Sequence, residues 1–313
     1  RYSPYNVTWQ LVQEYEAYAR PRELMQELGM KLKELDYAAH PRSTHTLRSS
    51  APLIDDGWMT HILYQSSDDA LGAIEHQQFA LPQVNDEFGY EDSGAGKSHA
   101  HHVDSATFRH RLWNATMNGQ YPTFGNTGTY GGRKFAPEAK WLDSPGAKAM
   151  TAWWETMSRT RFWDLTPYFD VDGGRALALP DVEYIIYIEK PGPVEVQVEK
   201  HSYQVYWIDP ATGETIKEKK DFKGFVFKGS PPSMDHDWIL HLSRDGRKEG
   251  MARSYKFEAR KILLQDPEYN PRNMPFELLL PKTGDTIIAG EPVQFEIKTT
   301  KQTAGTRRMT YLL

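Results

Sequence analysis

Two short apolar runs end in carboxylates. Pro82-Gln83-Val84-Asn85-Asp86-Glu87 leads straight into Phe88-Gly89-Tyr90-Glu91, and Asn6-Val7-Thr8-Trp9-Gln10-Leu11-Val12-Gln13-Glu14 closes in the same way. Each reads as a brief buried strand with a glutamate at its end. In a barrel of alternating strands and helices, those strand ends carry the reacting groups. Two carboxylates facing one acetal carbon can divide the work of cleaving it. Their surroundings must then push the two pKa values apart. Glu14 and Glu87 are the candidate catalytic pair. They stand 73 residues apart (87 − 14), which suits strands three positions apart in a βα repeat.

Other side chains fall where they can serve such a pair. His45 and Gln65 lie near the ends of two more expected strands and can hydrogen-bond sugar hydroxyls. Tyr90 and Trp141 sit in loops, where an aromatic face can stack on a sugar ring. Asn126 follows the last expected strand of this set and is placed lining the site. Trp9, Trp113, Trp153 and Trp154 lie inside elements and are expected in the core. His99, His101 and His102 have a spacing that puts two rings on one face of a strand. They sit in a glycine-flanked loop without an obvious third ligand, so a loop over the pocket is expected and no metal. Asp170-Val171-Asp172-Gly173-Gly174 lacks the glycine and glutamate offsets of a calcium loop and reads as a tight turn. Gly94-Ala95-Gly96-Lys97-Ser98 lacks the first glycine of a phosphate loop. No cofactor is implied.

Composition narrows the classes. The 313 residues carry a net charge of −5 and no long basic run, which argues against a nucleic-acid partner. There are no cysteines, so disulfides and thiolate metal sites are excluded. No run of eighteen apolar residues is present, so no membrane-spanning helix is expected. Nine Trp and 17 Tyr exceed what a core alone needs and suit contact with sugar faces.

The elements that must position the candidates alternate along the first half. Strands are expected at 5–12, 43–47, 58–65, 82–87 and 120–125. Helices are expected from Pro21 (with Leu24, Leu28, Leu32 and Leu35 on one face), weakly at 48–57, and at 70–79, 106–117 and 147–157. Asp104 or Ser105 caps the helix at 106, and Gly119 ends it. Such alternation points to a parallel sheet with crossover helices, with about five strands where a closed barrel needs eight. An open doubly wound sheet fits the same pattern. Beyond residue 160 the pattern turns to β: short strands at 184–188, 194–198, 203–207, 225–227 and 238–242, with a turn at Asp209–Gly213, suggest a sandwich. A linker and a strand at 254–264 follow. From Phe276 the Pro281–Asp285 turn and the Pro292–Ile297 strand suggest the opening of an immunoglobulin-like module. Both ends have the look of interrupted elements, so the chain reads as a piece of a longer polypeptide, or as one that pairs with another chain.

Taken together, Asn6-Val7-x-Trp9 with its strand-end glutamate, His40-Pro41…Thr44-His45, Asn85-Asp86-Glu87-Phe88-Gly89-Tyr90-Glu91, Trp113…Gly119 and Thr123-Phe124-Gly125 resemble the second half of a (β/α)8 glycoside hydrolase. The group they resemble is the apiosidase-like hydrolases of the large retaining clan with acids on strands four and seven. Phe162–Pro167, Gly173–Ala178, Glu183–Tyr187 and Tyr206–Gly213 resemble the putative collagen-binding β domain that follows in that group. The resemblance covers about residues 1–243. It implies Glu14 as acid/base and Glu87 as nucleophile, with strands one to three of the barrel supplied by another segment or chain. The clan has asparagine before its acid/base where this chain has Gln13, whose amide can still reach a sugar hydroxyl. Glu16, two residues on, competes with Glu14 for the acid/base role. The expected division is 1–161 for the C-terminal barrel half, 162–245 for the β-sandwich, and 246–313 for a linker and partial immunoglobulin-like module. The implied activity is retaining hydrolysis of a plant, algal or microbial polysaccharide or its oligosaccharides, by a secreted or periplasmic protein. The alternative is a non-catalytic carbohydrate- or matrix-binding surface protein built on a degenerate barrel.

Overall fold

The computed structural model describes residues 7–66, 71–91, 102–126 and 142–244, and the backbone of three strands beyond them. Trp141, His99, His101 and the 254–264 stretch lie outside the described residues, as does the His102 side chain. The chain divides into two units, Arg1–Lys248 and Glu249–Leu313.

The first unit opens with β1 (Trp9–Gln10), α1 (Pro21–Leu35), β2 (Arg42–Ser43), β3 (Ile62–Tyr64), α2 (Leu71–Gln78) and β4 (Gln83–Asn85). A parallel pair β5 (Tyr90–Glu91) and β6 (His102–Val103), α3 (Ser105–Met117), β7 (Gln120–Pro122) and α4 (Pro145–Met157) follow. β1 pairs β2, and β3 pairs β4, which pairs β7, all in parallel. Thr60 N donates to Arg42 O (2.9 Å) and links the β2 and β3 neighbourhoods. The parallel strands thus fall into two ladders among the described residues, β1–β2 and β3–β4–β7, each in sequence order. Each strand is shorter than expected: among the described residues of the run at 5–12, the regular ladder is Trp9–Gln10. The weak helix at 48–57 is a six-residue 3₁₀ turn, Ala51–Asp56.

Side-chain alternation sorts the strand faces. Ile62 and Tyr64 turn toward Ala51, Phe79 and Leu81. Leu63 and Val84 turn the other way and line a cavity of about 520 Å³ on the inner face of the sheet. α1 differs from expectation. Met25 and Gly29 are its buried positions, whereas Leu28 and Leu35 are exposed. The reason is Trp58, whose ring fills the space a Cβ at Gly29 would need, 2.2 Å away. Asp104 caps α3, accepting from Ala106 N and Thr107 N, and Gly119 follows its end at φ +78°.

β8 (Thr166–Tyr168), β9 (Val171–Asp172), β10 (Arg175–Leu179), β11 (Glu183–Ile188), β12 (Val194–Ile208), β13 (Thr215–Lys217), β14 (Phe222–Gly229) and β15 (Trp238–Ser243) form one connected antiparallel system. The two strands expected at 194–198 and 203–207 are one strand of 15 residues, bent by a register shift between Gln197 and His201. β8, β9, β10 and β13 are additional to the strands expected. Gly173 makes the tight turn expected at 170–174, at φ +81° with Pro193 O 2.1 Å from where a Cβ would stand. β11 is buried on both faces. Tyr184, Ile186 and Ile188 enter the β core, while Tyr187 stacks on Trp113 of α3 at 6.1 Å. Arg109 of α3 meets Asp237 (Nε–Oδ2 3.1 Å), and Asn114 donates to Glu189 (2.9 Å), so the β part is clamped to this helix by part-buried polar contacts. Trp154, expected in the core, is 55% exposed.

In the second unit β16 (Phe276–Leu280), β17 (Pro292–Thr299) and β18 (Thr306–Leu312) make an antiparallel meander.

Candidate active site

Four consecutive parallel strands deliver their next residues to one place. Glu14 follows β1, His45 follows β2, Gln65 follows β3, and Asp86 and Glu87 follow β4. Residues just past parallel strands converge at one end of the sheet, where strand-to-helix loops leave polar groups unpaired by the ladder. The β1–β2 pairing extends to this end through His45 N donating to Val12 O (3.1 Å) and Tyr15 N to His45 O (3.2 Å). Glu14 lies in the left-handed region, φ 46° and ψ 64°, a costly conformation for a non-glycine residue that recurs at functional sites.

The Gln65 amide joins the two glutamates. Its Nε2 donates to Glu14 Oε1 (3.2 Å), and the same side chain hydrogen-bonds Glu87. His45 Nε2 sits 3.2 Å from Glu87 Oε2 and 3.7 Å from Asp86 Oδ1. On the opposite side of the ring, Nδ1 faces Glu14 N at 3.4 Å. That backbone donor favours the tautomer with its proton on Nε2, aimed at the carboxylates. Gln13 is exposed, with Nε2 3.4 Å from His45 Nε2. The Tyr90 hydroxyl donates to Glu87, and its ring lies against Gly125, where a Cβ would stand 2.8 Å away.

These contacts set the electrostatics. Burial works to raise the Glu87 carboxyl, but hydrogen bonds from His45, Gln65 and Tyr90 outweigh it and hold Glu87 below its ordinary value. Burial likewise works to lower His45; the Glu87 hydrogen bond and the charges of Asp86, Glu87 and Glu14 raise it instead. The Glu14 amide resists protonation of Nδ1, yet one long hydrogen bond is weaker than three nearby carboxylates. Asp86, desolvated and beside Glu87, is pushed up to about 6. Two adjacent carboxyls therefore differ: Glu87 is readily ionised, Asp86 reluctant.

The two competitors near β1 have different surroundings. Glu16 is committed to the loop after β2, accepting from Thr46 Oγ1 and from Leu47 N (3.0 Å). Glu14 instead faces Gln65. Asn126 differs from expectation. It is fully buried and its amide donates to Glu91 Oε2 (3.1 Å). Glu91 also accepts from Ser105 Oγ (2.7 Å), Ser144 Oγ and Gly146 N (2.6 Å), tying the starts of α3 and α4 together. Sequence reasoning missed this role and that of Asp86. The run of consecutive acids Asp86-Glu87 was the available signal for the latter. Among the described residues no group of three His, Cys, Asp or Glu could hold a metal ion.

No family model matches the chain, and no curated protein does. Solved structures share its fold. A glycoside hydrolase family 5 protein from Bacteroides vulgatus superposes with a TM-score of 0.59 at 17% identity, over 71% of this chain and 59% of that one. A second, described as a glycoside hydrolase, gives 0.58 at 17% identity, over 70% and 60%. The chain thus spans about three fifths of the length of these neighbours. The class defined by fold is mixed helix and sheet, with neighbours of glycoside hydrolase (β/α)8 type.

Proposed function

We propose that the chain carries one wall of a retaining glycoside hydrolase site, with Glu87 as nucleophile and Glu14 as acid/base. The observation that carries this is the shared Gln65 amide: two strand-end glutamates bond one side chain. The retaining assignment rests on the resemblance of these two strand-end glutamates to the acid pair of the retaining clan, in which the carboxyls stand about 5–5.5 Å apart. Glu87, ionised and held by three donors, attacks the anomeric carbon and forms a glycosyl ester as Glu14 protonates the departing oxygen. Glu14 then takes a proton from water, which attacks the same carbon and releases Glu87. His45 and Tyr90 orient the nucleophile, and Gln65 keeps the two glutamates in register. Glu16, already satisfied by Thr46 and Leu47, is the weaker acid/base candidate.

Among the described residues β1 pairs only β2 and β7 pairs only β4, five strands where a closed barrel has eight. The proposed activity therefore draws on a complementary segment or chain that completes the barrel. The same observation favours a second reading, a carbohydrate-binding surface protein whose barrel is degenerate. The finer placement among apiosidase-like hydrolases, with a collagen-binding-type β-sandwich, an immunoglobulin-like module and a secreted or periplasmic location, belongs to this proposal. The substrate is proposed as a plant, algal or microbial polysaccharide or its oligosaccharides.

Turnover of a panel of aryl glycosides by wild type and Glu87→Gln tests it. Activity that falls to buffer level in Glu87→Gln supports the enzyme. Full activity in Glu87→Gln removes the nucleophile assignment. Polysaccharide binding without turnover by either protein supports the second reading.

A further inference from the structure

Gln65 bridges the two glutamates, so whatever fixes Gln65 fixes their relation. It follows β3 directly and is held from two sides. Its backbone N donates to Arg48 O at 3.2 Å. The carbonyl of the next residue, Ser66, accepts from Asn85 Nδ2 at 2.8 Å. Asn85 ends β4 opposite Tyr64, two positions before Glu87. The same Nδ2 also donates to Gln120 Oε1 of β7, at 2.9 Å. The main chain beside Asn85 is tied as well. Asp86 N donates to Tyr64 O (3.1 Å), Thr123 N to Asn85 O (3.1 Å) and Thr123 Oγ1 to Asp86 O (3.0 Å). One side chain on the strand that carries Glu87 therefore sets how far Gln65 stands from it.

Packing alone does not call for an amide here. Asn85 is 1% exposed, and its Oδ1 is buried without a hydrogen-bond partner among the described residues. A buried unpaired acceptor carries a penalty that an apolar side chain of similar size avoids, and native structures hold few of them. The two donors of the same amide are what an apolar side chain would lose. We propose that Asn85 is a positioning residue: by holding the Ser66 carbonyl it keeps the Gln65 amide on Glu14 and Glu87. The inference deepens the glycosidase reading and rests on it. A carboxylate that loses a donor is harder to ionise. Releasing Gln65 therefore raises the pH at which Glu87 becomes a competent nucleophile.

The test is a double-mutant cycle on the full chain, read by the titration of Glu87. The protein is made with ¹³C-carboxyl glutamate, and the Glu87 signal is the one missing from Glu87→Gln. In Gln65→Ala the midpoint rises by about 1–2 pH units, the size expected for one hydrogen bond to a charged group. Asn85→Ala raises it by part of that interval, and the double variant matches Gln65→Ala. The acid limb of kcat/KM on aryl glycosides moves by the same steps. A purely structural role lowers urea midpoints in both backgrounds and leaves the Glu87 titration where it was. Asn85→Ser, which keeps one donor, shows a smaller rise that also vanishes in the Gln65→Ala background; it covers the case in which the alanine variant does not fold. A wild-type Glu87 midpoint in the Asn85 variants overturns the proposal, as does a rise that adds in full to that of Gln65→Ala. If either occurs while Glu87→Gln is inactive, the Asn85 proposal fails and the nucleophile stands. If Glu87→Gln stays fully active, the nucleophile fails and the titration still decides Asn85.

Discussion

Replacing His45 with alanine removes one of three donors from a buried carboxylate and leaves the burial. The Glu87 side chain is 8% exposed and that of His45 4%. A hydrogen bond to a charged group contributes about 1.5–3 kcal/mol, and about 1.36 kcal/mol corresponds to one pKa unit. Glu87 should therefore rise by roughly 1–2 units in His45→Ala. The sign follows from the depressed native value. Its stabilising contribution is present above the unfolded glutamate pKa and is lost as pH falls through the native one. In the variant the acid limb of kcat/KM moves up by the same interval, and stability in the neutral range drops. The assay is the pH profile of kcat/KM on the best aryl glycoside, with urea midpoints at matched pH. His45→Gln, which retains a neutral donor, should show a smaller displacement. If the acid limb stays in place while kcat/KM falls equally at every pH, His45 acts on substrate and not on Glu87, and the reasoning fails.

Asp237 gives a stability prediction with the same sign. Burial would raise it, but His110 and Arg109 hold it well below the usual carboxylate range. Its contribution should persist above about pH 4 and be lost progressively below, as urea midpoints taken stepwise in pH would show. Asp237→Asn should lose up to about 3 kcal/mol near neutrality, because the part-buried Arg109 loses its counter-charge. Glu91→Ala strips four donors, three at the starts of α3 and α4 and one on Asn126, and should cost at least about 3 kcal/mol in thermal or urea melts. Gly29→Ala places a methyl into the Trp58 ring; it should destabilise by about 1–3 kcal/mol in the same melts despite alanine's better helix propensity.

The sequence by itself determined the alternation of short strands and helices, the Asp104 cap, the Gly119 stop and the placement of Glu14, His45, Gln65 and Glu87 beside strand ends. Those signals are local: a capping side chain, a positive φ and an apolar run ending in a polar residue act within a few positions of themselves. What the side chains do there was decided by tertiary structure. His45 and Tyr90 read as sugar contacts, yet their donors meet Glu87: the fold brings His45 to a carboxylate 42 positions away (87 − 45), and Tyr90 turns back on it from three residues further along. Asn126 is drawn inward by Glu91, and Leu28 of α1 is turned outward because Trp58 claims the groove at Gly29. The long β12 could not be told from two strands, since a bulge preserves apolar alternation on either side of itself. Long-range pairing, burial and the competition of several acceptors for one proton are properties of the assembled fold, and no local pattern encodes them.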